Sequence, residues 1–309
     1  MATPPSEMFR PCPACGSADE RDHVVTYGRP YEVVECLNCA LRFVNEPAPP
    51  TTVGDYPIVH FQETSDLRQR RARSDVAQLL QFVEGANPLG RGADGALRML
   101  DIGCGIGHVM LEARARGVEV RGTEINRRAS AFVREQYNMD VLDASAEGRI
   151  DFPNDFFDIV TLFGVIEHLV EPRTAILECH RVLKPGGTIC LKTPSEDGMI
   201  RFVGRALYRY SGGVISFHVP SLFFLGGGHN LCFSQRSMTN LLTGTGFEPQ
   251  AFMGSTYGFG VLRQRFGVSP RDLARLVGTA ALYGLGMLTR RPNHMTVFAV
   301  KTDGSAERH

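Results

Sequence analysis

Three glycines at alternate positions, Gly103, Gly105 and Gly107, follow an apolar run at residues 97–102 and precede helical spacing over 108–116. Without a Cβ the backbone can turn tightly there and approach a ligand closely. Strand, glycine loop and helix N-terminus together form a cradle at the carboxyl end of a parallel sheet. Residues 118–123 read as the next strand, and Glu124 ends it, 17 residues after Gly107. A carboxylate at that place can accept hydrogen bonds from both ribose hydroxyls of a nucleoside. A dinucleotide fingerprint needs its third glycine at position 108, which is His108, so the spacing here is G-x-G-x-G. Asp101 would set negative charge beside a pyrophosphate; it suits a ligand with a cationic amino-acid end. The plain alternative is a glycine-rich turn in some other α/β fold with no cofactor.

A second constellation lies near the start. Cys12-x2-Cys15 and Cys36-x2-Cys39 are separated by 20 residues. Two thiolates three apart on a knuckle can face one metal ion, and two knuckles complete a tetrahedral S4 set, which favours zinc. Between them Val24, Val25, Tyr31, Val33 and Val34 read as short strands of a ribbon. Two ribbon disulfides, disfavoured in a reducing cytosol, or an iron centre are the alternatives. Four cysteines leave no open coordination position, so the metal is read as structural. Cys104, Cys179, Cys190 and Cys232 are scattered and read as small buried hydrophobes.

The octet Leu100-Asp101-Ile102-Gly103-Cys104-Gly105-Ile106-Gly107 resembles the first motif of the class I S-adenosylmethionine-dependent methyltransferases. The resemblance implies that the glycine loop lies along the methionyl part of that cofactor and that Glu124 holds its ribose. It assigns cofactor contacts to Asp101, Gly103, Cys104, Gly105, Gly107, Glu124 and Ile125. Asp143 stands where the family places an acidic residue on the adenine amino group, with Ala144 beside it; a helix or turn cap is the alternative. Residues 152–158 resemble the family's fourth motif, a proline-containing turn and aromatic before a central strand at 159–162.

Phe163-Gly164-Val165-Ile166-Glu167-His168-Leu169 is similar to the ending of that family motif, a segment that borders cofactor and acceptor. It adds Phe163 and Gly164 to the cofactor contacts and makes His168 a candidate base or positioning group, since imidazole titrates near neutral pH. Service to the following helix is the alternative. Quinone-pathway O-methyltransferases hold a divalent metal in this segment with two glutamates and a histidine. Glu167 and His168 match two of these, but the earlier glutamate falls at Gly164, which counts against a catalytic metal. Arg181-Val-Leu-Lys-Pro-Gly-Gly187 is a further match that turns the chain into the sheet. His229-Asn-Leu-Cys-Phe-Ser234 resembles a segment of zinc-ribbon sugar C-methyltransferases whose histidine and glutamate lie at the acceptor. His229 matches the histidine and is the second catalytic candidate; Gly228 replaces the glutamate, which counts against sugar C-methylation.

These residues need a scaffold. The resemblance implies an α/β, Rossmann-like sheet of seven strands ordered 3-2-1-4-5-7-6, preceded by the ribbon. The expected division is a zinc ribbon at 1–45, a proline-rich linker and helix at 46–95, and the methyltransferase domain at 96–309. Helices are expected at 63–83, 127–137, 174–183, 270–289 and from the cap Ser234 to 242; strands at 139–142, 188–192, 247–253 and 294–301. Arg68, Arg70, Arg71 and Arg73 read as the solvated face of the first helix rather than a nucleic-acid patch. Residues 210–235 hold no Lys, Arg, Asp or Glu, so 194–235 reads as a lid over an apolar acceptor, with an interfacial patch or plain core as alternatives. The half of 270–289 from Leu276 onward is also uncharged, which leaves room for weak interfacial association or a second subunit, although packing on its own domain is favoured.

Lys plus Arg and Asp plus Glu balance at 33 each, so no general attraction to nucleic acid or anionic membrane is expected. No secretory signal and no 18-residue apolar run stand out, and a cytoplasmic protein is the expectation. The expected activity is in-line methyl transfer to a small-molecule acceptor in a biosynthetic pathway, with S-adenosylmethionine as cofactor and Zn2+ as structural metal. The alternatives are an RNA or protein methyltransferase using the ribbon as a reader, a non-catalytic cofactor-binding module and, last, a dehydrogenase. The sequence leaves the oligomeric state open.

Overall fold

The computed structural model describes residues 9–19, 23–27, 32–47, 65–86, 96–212, 229–255 and 269–302. The strands of its main sheet are β4 (Arg98–Ile102), β5 (Glu119–Glu124), β6 (Val141–Asp143), β7 (Phe157–Phe163), β8 (Leu183–Pro194), β10 (Phe247–Ser255) and β11 (His294–Lys301). They lie in the order β10-β11-β8-β7-β4-β5-β6. The pairs β4–β5, β5–β6, β4–β7 and β7–β8 are parallel, while β11 runs antiparallel to both β8 and β10. This is the sheet order 3-2-1-4-5-7-6 expected from the sequence.

Both faces are covered, and the period-2 alternation of each strand divides its side chains between them. Leu100, Ile102, Val160, Leu162, Ile189, Leu191 and Val297 share one core with Ile176 and Cys179 of α4 (Pro172–Val182). Their neighbours Met99, Ile159, Cys190 and Phe298 face Val76, Leu79 and Val83 of α1 (Ser65–Ala86). Phe82 stacks on Phe298 at 4.5 Å between centroids, which fixes α1 across this face. On α1, Arg68, Arg70 and Arg73 are exposed, whereas Arg71 is half-buried, 3.9 Å from Asp75. Asp75 in turn holds the buried Lys192 ammonium at 2.5 Å, tying the helix to the end of β8. The remaining elements on the way are α2 (His108–Arg114) and α3 (Arg127–Tyr137), each between two parallel strands.

β8 is longer than the sequence predicts. It begins at Leu183 and absorbs Lys-Pro-Gly-Gly as an irregularity, the pairing jumping from Phe157↔Leu183 to Ile159↔Thr188. Gly186 takes φ +73° inside it, and Lys184 reaches back to Asp158 at 2.6 Å. Within the expected lid, residues Met199–Tyr210 form a helix, α5, that the sequence reading did not anticipate. Residues 213–228 of that lid, residues 48–64 of the linker-and-helix segment and Tyr31 lie outside the described residues. Helix α7 (Pro270–Leu288) buries Leu276, Tyr283 and Gly286, Leu276 and Tyr283 packing with Ile200 of α5. Its other face leaves Leu273, Val277, Leu285 and Met287 exposed. No helix among the described residues is long and apolar enough to cross a membrane.

The ribbon forms a second sheet. β1 (His23–Tyr27) and β2 (Val33–Cys36) are the short strands expected between the cysteine pairs, and β3 (Arg42–Val44), beyond the second pair, was not anticipated; β2 pairs antiparallel with both. Its fourth strand, β9 (Leu231–Cys232), comes from far downstream and pairs Arg42↔Cys232 and Phe43↔Leu231, giving the order β1-β2-β3-β9. Leu41, Phe43, Leu231 and Phe233 join the same core as the central strands of the main sheet. The two sheets therefore share one hydrophobic interior. Helix α6 (Gln235–Thr243) follows directly, and Ser234 caps it through a capping box with Ser237.

Candidate functional site

The loop after β4 is left-handed at all three glycines, with φ +69° at Gly103, +55° at Gly105 and +83° at Gly107. A Cβ on Gly103 would stand 2.5 Å from Val165 Cγ2, and one on Gly107 3.1 Å from Val133 Cγ2. Only glycine fits both the conformation and the space at Gly103. Glu124, ending β5, grips this loop: its Oε2 accepts the Gly105 N–H at 2.7 Å, and its Oε1 accepts that of Asn126 at 2.8 Å. Burial raises the Glu124 carboxyl above its usual range, opposed by these amide donors and that of Ile125. Asp101 is buried in β4 and accepts the Thr161 hydroxyl at 2.7 Å. Burial, with a smaller contribution from Glu124, pushes its carboxyl up to about 7. Two carboxyls whose ionisation burial opposes will ionise more readily beside a cation. The cradle therefore suits a positively charged ligand.

Asp143 ends β6 beside Glu124, which pairs with it across the strands. It accepts from Arg134 at 2.9 Å and from the Ser130 hydroxyl, and Arg134 holds it below the usual carboxylate range. Ala144 donates its N–H to the Glu124 carbonyl at 3.2 Å. Phe163 ends β7, and Gly164 turns the chain with φ +73°, its N–H bonded to the Lys192 carbonyl. Cys104 is buried, and burial raises its thiol well above the ordinary value. It packs there as a protonated side chain.

The predicted histidines come together at the other end of the cradle. A 3-10 turn, Ile166–His168, follows β7, and Val165 at its start is the residue that Gly103 leaves space for. The His168 and His229 rings lie edge to face, 4.6 Å between centroids at 78°. Glu167 is buried beside them, its Oε2 with no hydrogen-bond partner among the described residues. Burial raises this carboxyl too, the nearby His168 opposing the shift. One ligand atom each from Glu167, His168 and His229 lies within 4.8 Å of the others. Gly164 is where the sequence reading missed a glutamate; His229 supplies a third donor instead.

Asn230, which the sequence reading passed over, joins these parts. Its N–H donates to the Glu167 carbonyl at 2.8 Å, and its Nδ2 to the His168 carbonyl at 2.9 Å. Its own carbonyl accepts the Val44 N–H of the ribbon at 2.9 Å. The available signal was a short polar residue between a candidate histidine and an apolar pair, but it names no partner.

In the ribbon, Cys12 Sγ lies 3.5 Å from Cys39 Sγ, and Cys15 Sγ 3.7 Å from Cys36 Sγ. All four sulfurs lie within 4.8 Å of one another, and none is in a disulfide. A ZnS4 tetrahedron with bonds of about 2.3 Å has edges of about 3.8 Å, so this cluster has the right size for one. Cys104, Cys179, Cys190 and Cys232 are buried, as expected of scattered thiols.

Comparison with known proteins agrees with the cradle. A family model described as a methyltransferase domain matches residues 100–191. The chain is similar to a ubiquinone biosynthesis O-methyltransferase of Pseudomonas aeruginosa, 35% identical over 106 residues, or 32% of this chain and 45% of that protein. A protein of the same name from Alkalilimnicola ehrlichii is 34% identical over 127 residues, 40% of this chain and 47% of its own. The chain thus spans less than half the length of these curated relatives. Among solved structures, a SAM dependent methyltransferase from Archaeoglobus fulgidus superposes with TM-score 0.52 at 16% identity, covering 78% of this chain and 99% of that one. Glycine-loop geometry, sheet order and family match converge: the chain carries a class I S-adenosylmethionine-dependent methyltransferase domain.

Proposed function

We propose that the chain methylates a small-molecule acceptor, as a step in a biosynthetic pathway, with Asp101, Glu124 and the 103–107 loop holding S-adenosylmethionine and with His168 and His229 at the acceptor. The observation that carries this reading is the contact through Val165, which sets the histidine pair directly beyond the glycine loop. When bound, the cofactor supplies an electrophilic methyl on a sulfonium. The chain's own residues then have to position and to move a proton. Gly103, Gly105 and Gly107 would let backbone amides approach the ligand, Asp101 would face its cationic end, and the Glu124 carboxylate would accept from the ribose hydroxyls. Asp143 and Ala144 border the adenine, and Ile125, Phe163 and Gly164 line the remaining wall. Holding nucleophile, carbon and sulfur in line supplies up to ~7–11 kcal/mol of the acceleration in favourable systems. An imidazole of the pair takes the acceptor's proton, and the Glu167 carboxylate beside it stabilises the resulting imidazolium.

Labelled cofactor incubated with extracts of the source organism, followed by a mass-resolved search for a labelled product, tests the proposal. A small labelled product supports it; label carried only in RNA or protein favours the alternative in which the ribbon reads a macromolecule. Against that alternative, one edge of the ribbon sheet is already occupied by β9. The four-cysteine cluster is proposed to hold zinc as a structural ion.

A second reading has its own observation. Glu167, whose Oε2 has no hydrogen-bond partner among the described residues, forms with His168 and His229 a three-donor set, one ligand atom of each within 4.8 Å of the others, for a divalent cation that would acidify the acceptor in place of an imidazole. Turnover that survives exhaustive chelation while zinc stays in the ribbon keeps the imidazole reading; turnover restored by manganese alone replaces it.

A further inference from the structure

We infer that the four-cysteine ribbon is a positioning device for the acceptor-side histidines, and that Asn230 is the residue through which it acts. The functional meaning rests on the proposed role of His168 and His229, but the mechanical claim stands on the backbone and side-chain hydrogen bonds of Asn230.

β9 has two residues, too few to hold its own place. It is fixed from both sides. On one side β3 pairs with it through Arg42↔Cys232 and Phe43↔Leu231; on the other, Phe233 bridges Ser195 just past the end of β8. Asn230 extends the arrangement by one step toward the site. Both of its peptide groups are tied, one to Val44 of the ribbon and one to Glu167 of the histidine turn. Peptide groups are planar, so fixing two in succession fixes the Cα from which His229 departs. The Asn230 side chain then binds the His168 carbonyl, so one buried residue sets the spacing of both rings.

The ribbon can serve as an anchor because its knuckle is tied in turn. β3 begins three residues after Cys39, and the knuckle closes through Ala40 N–H to Cys36 O at 2.7 Å and Cys36 N–H to Leu41 O at 2.9 Å. Arg236 of α6 donates to the Asn38 carbonyl at 2.6 Å. Glu196, buried just after β8, gathers Arg42 at 2.5 Å, Arg201 at 2.6 Å and Arg205, joining ribbon, main sheet and α5 in one ion cluster. Asparagine suits position 230 because a short amide offers a donor at the reach of the His168 carbonyl. An aspartate would set an acceptor against the His168 carbonyl and lose that bond.

The test uses the full chain, zinc-loaded, with isotope-labelled histidine rings. The ring-to-ring nuclear Overhauser effect between His168 and His229, assigned with His168→Gln and His229→Gln, reports the spacing. Calorimetry with S-adenosylhomocysteine reports the cradle, and a metal count reports the ribbon. Removing zinc with a chelator is expected to abolish the ring-to-ring signal, with affinity for S-adenosylhomocysteine kept within about threefold, and added zinc to restore it. Asn230→Ala is expected to lose the signal while still carrying one zinc. The inference is overturned if the signal survives both treatments. It is equally overturned if affinity collapses together with the signal, because the ribbon then supports the whole fold rather than the acceptor end. A zinc-loaded chain that shows the signal but binds no S-adenosylhomocysteine would refute the proposed function and leave the strut in place.

Discussion

The two ends of the site are built by different means. The proposed cofactor end is built chiefly on one continuous stretch, residues 98–124, in which a strand, a turn, a helix and a second strand follow one another, with Asp143 and Gly164 added from later strand ends. The proposed acceptor end is assembled from Val44, Glu167, His168, His229 and Asn230, brought together across three separate parts of the chain. Local geometry specifies the first: three left-handed glycines and one carboxylate leave few alternatives. The second depends on two sheets agreeing about where they meet.

Substitutions should separate the two ends. The largest effect belongs to the histidines: His168→Gln or His229→Gln is expected to lower turnover by roughly 10²–10⁴, with cofactor affinity unchanged in calorimetry. Unchanged turnover in both variants would take the proton-transfer role from the pair. At the other end, Glu124→Ala removes the carboxylate that accepts the Gly105 amide of the loop and the Asn126 amide after β5. Affinity for S-adenosylhomocysteine should fall by roughly ten- to a hundredfold, corresponding to charge-assisted hydrogen bonds of about 1.5–3 kcal/mol; a change of less than threefold would break the comparison.

Asp101 sharpens it through pH. With its carboxyl up to about 7 in the ligand-free chain, a cationic ligand must first displace its proton at lower pH. Affinity for S-adenosylmethionine should therefore rise by at most about tenfold per unit as pH increases toward 7, and then level off. Asp101→Asn should flatten this slope. The sign for stability is opposite. A carboxyl raised in the folded chain favours folding most fully below its unfolded value, and that contribution is lost as pH climbs from about 4 through 7. The loss levels off at on the order of 4 kcal/mol, and Asp101→Asn should recover part of it in thermal melts at pH 8. The smallest effect is structural. Ser234→Ala removes the α6 cap and should cost about 1 kcal/mol, read as a small drop in melting temperature with the cradle's affinity intact.

Much of this was legible in the sequence, and what was legible follows the same division. The glycine loop, Glu124 and the four-cysteine cluster are short-range patterns, and the order of the seven strands came with the family resemblance; the structure reproduces all of them. The Lys-Pro-Gly-Gly segment shows the limit: it reads as a turn before a strand, but Lys184 and Asp158 draw it into the sheet as a bulge. Helix α5 was hidden because its charge pattern makes sense only once Glu196 is seen to collect Arg201 and Arg205. Asn230 was invisible for a simpler reason. Its three partners lie at 44, 167 and 168, and no periodicity connects them.

The strand completed by Leu231 and Cys232 also bears on synthesis. Cys232 follows Val44 by 188 residues, so the ribbon's outer edge stays uncovered while the intervening chain is made. At typical elongation rates that wait is on the order of ten to forty seconds. An open edge of Phe43 and Val44 invites pairing with a neighbouring nascent chain. Arg42, placed at the head of that edge, is the residue that would deter it until its own strand arrives.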